Sequence, residues 1–412
     1  MPLDLKKVIT QIKNLENQDL REENHNRLES TYKLFEIAKE NYEKLITRLA
    51  ETKSLSGANF YFATPELLSK DETLDTLHNS KEKFSTPHIT IATDGSQINP
   101  SAHEFSGASL INIGLVGIPY FDSSIPVTLS SEPTVYNSLD KIFQTTSSDF
   151  VQDEDLIAYE RTLKELEELV KLAKKYSSYY KLPIVALVDG TLIHWHIDKF
   201  PDIYIQQFIK RFSDSILELK SMDIPVVSFL SNSRSNELIN MLRIFKCPFE
   251  PVNCKKHCSN IESKNLPCNP TLEYKPVFDR RLIEKRFTIE KAVIGTRTIL
   301  FKSNSMILNH YPEDLKIYFF YINTGTETAR VELPAYIVNN EKLLDLTHNA
   351  IALQCKAGFG YPITLSEAHL LAVVNKTDRQ VFYNLLKEQM LSKKDTKVRL
   401  SNKELKKRIS FV

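Results

Sequence analysis

Residues 86–103 read TPHITIATDGSQINPSAH, and residues 183–193 read PIVALVDGTLI. In the first stretch the β-branched run Ile89, Thr90, Ile91 predicts a strand that ends at Asp94-Gly95-Ser96, with a sharp turn on the glycine. In the second, Ile184, Val185, Ala186, Leu187 and Val188 form a nearly unbroken apolar run, as expected of a strand buried on both faces. It too ends on an acid, Asp189, followed by glycine and threonine. Two carboxylates, each at the end of an apolar strand, point to two acids brought together at one edge of a sheet. Paired acids bind divalent metal ions or share acid–base work. Asp-Gly is also an ordinary turn dipeptide, so either one alone says little; the pair on such hydrophobic strands says more.

Working outward, FSGASLINIGLVGI (105–118) and a proline-broken strand around Val127–Val135 follow the first strand. Together they predict a meander of three antiparallel strands, then a polar loop over 138–152. Residues 153–178 predict a helix with Leu163, Leu166, Leu169, Val170 and Ala173 as one apolar stripe. Glu165 and Glu167 sit on the two borders of that stripe, and Glu168 points further away. The strand at 183–193, a helix near 200–221, a strand at 224–231 and a helix near 234–246 then give an α/β pattern with a parallel half. A meander followed by β-α-β-α is the element order of the ribonuclease H-like fold: a mixed sheet flanked by helices.

Before this core, Leu5, Val8, Ile9, Ile12 and Leu15, then Leu34, Ile37, Tyr42, Leu45 and Leu49, recur at helical spacing. They predict an N-terminal helical arm, joined by a linker over 55–85. The domain reading is an arm and linker over 1–85, a main domain over 86–395, and a basic tail over 396–412. In 412 residues the net charge is only +1, so overall charge does not argue for a nucleic-acid partner and only local patches could serve. The N-terminus lacks the apolar core of a signal peptide, and no run approaches a membrane span. A cytoplasmic protein is expected.

Four of the five cysteines, Cys247, Cys254, Cys258 and Cys268, form a Cys-x6-Cys-x3-Cys-x9-Cys segment inserted in the main domain. Without export signals this points to zinc or an iron–sulfur cluster before disulfides, and to structural support before catalysis. Further on, RTILFKSNS and IYFFYINTGTETARVELPAYIV predict a strand and a hairpin turning at Thr324-Gly325. Arg297, Lys302 and Arg330 lie there among Phe301, Tyr318, Phe319, Phe320 and Tyr321. Such a mixture can bind single-stranded DNA by stacking and phosphate contact, and alternating strand packing explains it equally well. Helices are expected near 340–356, 364–375 and 378–392, with His369 early in the second, after a tight loop marked by Gly358, Gly360 and Pro362.

Taken together, ATDGSQINPSAHE, the RTLKELEEL helix, VALVDGTLIHW, GTRTILFKSNS, FFYINTGTETARVELP and GYPITLSEAHLLAVV resemble the NurA family of DNA-repair nucleases. The cysteine segment is similar to the bacterial, cyanobacterial-type branch. The resemblance implies a ribonuclease H-like core, a homodimer, and Mn2+-dependent (or Mg2+-dependent) 5′-to-3′ exonuclease and single-strand endonuclease activity on DNA. It further implies action with a HerA-type hexameric ATPase in end resection at double-strand breaks. By position it assigns Asp94, Asp189 and His369 to the metal site, with a helix glutamate; the helix offers Glu165, Glu167 and Glu168, and their place on the borders of the apolar stripe favours Glu165, then Glu167. A haloacid dehalogenase-like phosphatase would need an aspartate two residues before Asp94 or Asp189, where Ala92 and Leu187 stand. No Walker-type loop occurs, so an intrinsic ATPase is not expected. The alternative from another class is a non-catalytic DNA-binding or scaffolding subunit built on a relic nuclease core.

Overall fold

The structure, a computed structural model of the chain, describes residues 4–14, 18–82, 84–99, 108–136, 153–262, 265–268 and 277–392. The polar loop expected over 138–152 and the basic tail 396–412 lie outside them. The chain forms two compact units, each drawn from separate stretches. One comprises Met1–Asn79, Ser231–Met306 and Tyr318–Arg330; the other comprises Ser80–Leu230, Ile307–Ile317 and Val331–Val412.

The second unit carries the meander and the parallel half. Its strands are β1 (His88–Ile98), β2 (Ser109–Tyr120), β3 (Thr128–Tyr136), β4 (Ile184–Asp189) and β5 (Val226–Leu230). They lie in the order β5-β4-β1-β2-β3. β1 to β3 are antiparallel, and β4 joins β1 and β5 in parallel. Helices α1 (Asp153–Tyr179), α2 (Asp202–Ser221), α3 (Glu341–Ala357), α4 (Ile363–Ala372) and α5 (Lys376–Ser392) complete a mixed α/β unit. No helix among the described residues is long and apolar enough to cross a membrane.

One expectation needs correction here. β1 does not turn at Asp94-Gly95 but runs on to Ile98, paired with β2 throughout (Asp94↔Gly114, Ile98↔Leu110). What ends near Asp94 is its other neighbour: pairing with β4 stops at Thr93↔Val188. The second Asp-Gly does end its strand, and Gly190 takes a positive φ of 86° that a side chain would strain.

Successive strand residues face opposite sides of the sheet, and the two faces of β1 receive different helices. Thr93 and Gly95 face α1, whose stripe Leu163, Leu166, Leu169, Val170 and Ala173 is buried; each leucine or valine contributes about 1.5–3 kcal/mol on burial. Asp94 and Ser96 face α4. There Ser96 donates to the carbonyl of Ala372, and the Asn112 amide donates to the carbonyls of Ala372 and Leu371 at 2.9 and 3.1 Å. A Cβ on Gly114 would lie 2.3 Å from the Ala368 carbonyl, so glycine is what lets α4 settle on β2.

The other unit packs helices Gln18–Glu40, Tyr42–Ser54, Glu237–Lys246 and Asp279–Ile289 around Phe35, Leu45, Leu49, Leu238, Leu242, Ile283, Phe301 and Phe319. Within it, the expected linker contains two short strands: Ala63–Glu66 pairs with Leu300–Ser303, and Leu77–His78 with Arg297–Thr298. Both are too short to show a period in sequence. The buried carboxylate of Asp279 accepts from the amides of Leu238 and Ile239 (3.1 and 3.0 Å) and so caps the helix Glu237–Lys246 from another segment. Burial pushes its carboxyl up to about 6, against the pull of those amides.

Candidate active site

Asp94 and Asp189 are delivered by adjacent parallel strands, one step beyond the Thr93↔Val188 pair. In-register neighbours project to the same side of a sheet, here the side of α4. His369, on α4, places Nδ1 at 2.7 Å from Asp94 Oδ2. Tyr361, in the loop before α4, donates its hydroxyl to Asp189, and its ring stands edge-on to Phe229 at 5.4 Å.

Glu165 arrives from the opposite face. Thr93 Oγ1 donates to its backbone carbonyl at 2.8 Å, which fixes the register of α1 on β1. The Gly95 amide donates to its carboxylate. A Cβ on Gly95 would lie 2.5 Å from Glu165 Oε1. Gly95 is therefore required by the close approach of a carboxylate, not by a turn. Because β4 has ended, the edge of β1 is open at this point, and Glu165 shares a cluster with the two aspartates.

The electrostatics follow from that placement. Burial pushes the Glu165 carboxyl up to about 8; Arg161, with Nε 3.3 Å from Oε1, opposes this, and the charges of Asp94 and Asp189 add to it. Burial also raises Asp189; the Tyr361 hydrogen bond restrains it and Asp94 adds to it. Tyr361 is raised by burial and by the charge of Asp189. Beside Glu165 and Asp189 lies a cavity of about 170 Å³, lined also by Arg161, Thr191, His194 and His196. His194 is buried against Phe208 and Phe212, and burial and His196 hold its pKa down to about 3, so the ring is neutral.

Three carboxylates short of positive charge, beside an imidazole, form a hard-oxygen and nitrogen donor set suited to Mg2+ or Mn2+. As the side chains stand, no three His, Cys, Asp or Glu among the described residues close into a ligand group: Asp94 is bonded to His369, and Asp189 to Tyr361. Burial raises the carboxyls of Glu165 and Asp189 and the neighbouring carboxylates add to it; a cation would offset both effects, so the residues fit such an ion.

Other expected site residues lie elsewhere. Glu167 is bonded to Arg211 at 2.6 Å, in a network with Glu160, and Glu168 pairs with Lys171 at 2.7 Å. Of the three helix glutamates, only Glu165 joins the aspartates. Arg297 is buried, with its guanidinium 5.5 Å from the Phe320 ring centre and bonded to the Thr298 carbonyl. Arg330, only 2% exposed, lies 3.6 Å over Phe319 and bonds Glu237 and Ser235. For these two arginines the expected DNA contact gives way to the packing explanation: their side chains point into the unit. Lys302 is half-buried, 5.3 Å over Tyr318. Cys247, Cys254, Cys258 and Cys268 line one narrow cavity with Phe60 and Arg243, as free thiols not drawn into a coordination shell.

Tyr361 and Arg161 were not singled out in the sequence. Arg161 carried a usable signal, since it stands four residues before Glu165 and such a pair shares one helix face. Tyr361 carried less: a lone tyrosine between Gly360 and Pro362.

A family profile for the NurA domain matches residues 88–374, more than half of the chain. The chain belongs to the NurA family. Asp94, Glu165, Asp189, Tyr361 and His369 all fall within the NurA domain. No curated protein sequence matches the chain. Among solved structures, a crystal structure of NurA bound to dAMP and manganese is similar at a TM-score of 0.32 and 11% identity, covering 84% of this chain and 94% of that chain.

Proposed function

We propose that the protein is a metal-dependent deoxyribonuclease that hydrolyses DNA phosphodiesters with Mn2+ or Mg2+. The observation that carries this reading is the convergence of Asp94, Asp189 and Glu165 at the end of β4, where burial first, and then the neighbouring carboxylates, raise the pKa of Glu165 and of Asp189. Membership of the NurA family supports it. In this reading Asp94, Asp189 and Glu165 hold the ion, with His369 beside them. A bound divalent ion would neutralise the scissile phosphate and lower the pKa of the attacking water. Asp94 orients the His369 ring through Nδ1, leaving Nε2 to give or take a proton at the leaving or attacking oxygen. Tyr361 fixes the rotamer of Asp189, and Arg161 balances part of the charge on Glu165.

The finer reading keeps the family's properties as proposals. These are a ribonuclease H-like nuclease domain over 86–395 with an N-terminal arm, 5′-to-3′ exonuclease and single-strand endonuclease activity, and a homodimer acting in end resection in the cytoplasm. With no Walker-type loop in the sequence, energy for movement along DNA would come from a HerA-type ATPase. The four cysteines are proposed as a structural ligand set for zinc or an iron–sulfur cluster, supported by their sharing one cavity.

The test uses end-labelled single- and double-stranded DNA with Mn2+, Mg2+ or EDTA, comparing wild type with Asp94→Asn. Metal-dependent cleavage abolished in the variant is expected, and full activity in Asp94→Asn would sink the assignment. Mn2+ at a hundred times its Kd should also add about 2.7 kcal/mol to wild-type stability and little to the variant. Single-strand binding with neither cleavage nor a metal shift would favour the non-catalytic subunit.

A further inference from the structure

The loop that supplies Tyr361 carries an aromatic residue that the site itself does not use. Helix α3 ends at Ala357, and the Gly360 amide bonds back to the Cys355 carbonyl at 2.8 Å. This six-to-one bond is the Schellman stop, whose left-handed position is normally glycine. Here that position is Phe359, at φ 53°, between Gly358 and Gly360. A non-glycine residue is strained there. Its ring is also 92% exposed, the most exposed of the large hydrophobic side chains among the described residues. Phe121 has a similar φ of 61°, but its ring rests against those of His88 and Tyr120. Phe359 makes no ring contact among the described residues.

The loop is nevertheless stiff. Gly358 and Tyr361 are so close that a Cβ on Gly358 would meet the Tyr361 carbonyl at 2.0 Å. The Thr364 amide and hydroxyl are held by the Gln354 side chain at 3.0 and 2.9 Å. Two residues from Phe359, Tyr361 is bonded to Asp189. A costly backbone conformation therefore holds a bare aromatic face on a rigid support, within two residues of the acid cluster. The same stop holds Ser56, Asp223 and Lys291 at φ 48°, 56° and 49°, so what sets Phe359 apart is the bare ring on a fixed loop beside Tyr361, not the left-handed backbone alone.

We propose that Phe359 is a base-stacking residue that positions single-stranded DNA, so that the phosphate next to the stacked base lies at Asp94, Asp189 and Glu165. Stacking on an aromatic ring tolerates any base and loses little entropy when the ring is already fixed. The proposal rests on the nuclease reading for which phosphate is cut, but not for the stacking itself. Phe359 is a positioning residue: it touches a base and leaves the chemistry to the acids.

The test measures binding of a single-stranded oligonucleotide containing 2-aminopurine, in EDTA, by wild type, Phe359→Gly and Phe359→Trp. Phe359→Gly should melt higher than wild type, because the strain is relieved, yet bind at least about fivefold more weakly and lose the 2-aminopurine quench. Phe359→Trp should keep both binding and quench. An abasic residue in place of the stacked base should bring wild type and Phe359→Gly to equal affinity. Equal binding and quench in wild type and Phe359→Gly overturns the proposal, as does failure of Phe359→Trp alongside Phe359→Gly. A glycine variant that loses self-association but binds DNA normally overturns it in favour of a protein contact. With Mn2+ added, a quenching wild type that cleaves neither single- nor double-stranded DNA defeats the nuclease reading alone, and no single-strand binding by a wild type that still cleaves duplex overturns the stacking proposal alone.

Discussion

Replacing Gly95 by alanine tests the geometry of the acid cluster through one methyl group. The added Cβ would lie 2.5 Å from Glu165 Oε1, 2.8 Å from Arg161 Cγ and 3.0 Å from Ile113 Cδ1. Carbon and oxygen rest at about 3.4 Å or more, so the carboxylate must retreat by about 1 Å. Arg161 and Ile113 hem in that retreat, and the Gly95 amide loses its acceptor. Overpacking of this kind costs about 1–3 kcal/mol. A misplacement of about 1 Å at a reacting centre costs on the order of a hundredfold in rate. Gly95→Ala should therefore fold, melt lower by an amount within that range, and cleave single-stranded DNA about a hundredfold more slowly with Mn2+. The assay is kcat/KM for cleavage beside a thermal melt of each protein. Cleavage within threefold of wild type, with an unchanged melting temperature, would mean that Glu165 does not seat against β1 as described.

Among the helix glutamates, Glu165→Gln should lose cleavage, whereas Glu167→Gln should keep it within about threefold and lose less than about 1 kcal/mol, since its partly exposed pair with Arg211 is weak; equal loss in both would contradict the placement. Asp279, held at about 6 by burial against an ordinary 3.8, contributes stability that is fully present below the ordinary value and is lost as pH rises through about 6. Relative to Asp279→Asn, the wild type should lose about 2 kcal/mol between pH 4 and pH 7; urea melts giving a pH-independent difference would refute this. Protein purified reduced and without oxygen should carry either one zinc or about four irons, and lose them in Cys258→Ser; metal-free wild type would remove the cysteine assignment.

The parts of this site that sequence revealed are those set by strand chemistry. Asp189 stands out because the run Ile184–Val188 can only be a buried strand and Gly190 breaks it. Asp94 lies beside Asp189, but not at a strand end as its sequence suggests. Gly95 looks like a turn residue, but its missing side chain makes room for an acid from α1, and no local pattern reports a contact between positions 95 and 165. Glu165 and Glu167 border the same stripe and are separated only by tertiary partners: the Gly95 amide for one and Arg211 for the other. Arg297 and Arg330 fit phosphate binding and packing equally well in sequence, and burial over Phe320 and Phe319 decides for packing. Tyr361 is illegible in sequence because a tyrosine in a glycine-rich loop acquires meaning only when the fold carries that loop up to Asp189.

The division of the chain into interleaved units bears on how it is made. Helices Gln18–Glu40 and Tyr42–Ser54 leave the ribosome early, but beyond Phe62, Ala63 and Leu74 the core that Phe35, Leu45 and Leu49 join is supplied from Leu238 onward. At ordinary rates of synthesis they wait about 10–40 s, with their apolar faces uncovered, while most of the other unit is translated. Arg48 waits as long for the carbonyls of Phe245, Cys247 and Phe249 that it finally holds. A newborn chain thus completes its first-made part late, and a nonsense codon before position 231 would leave that part without most of its core.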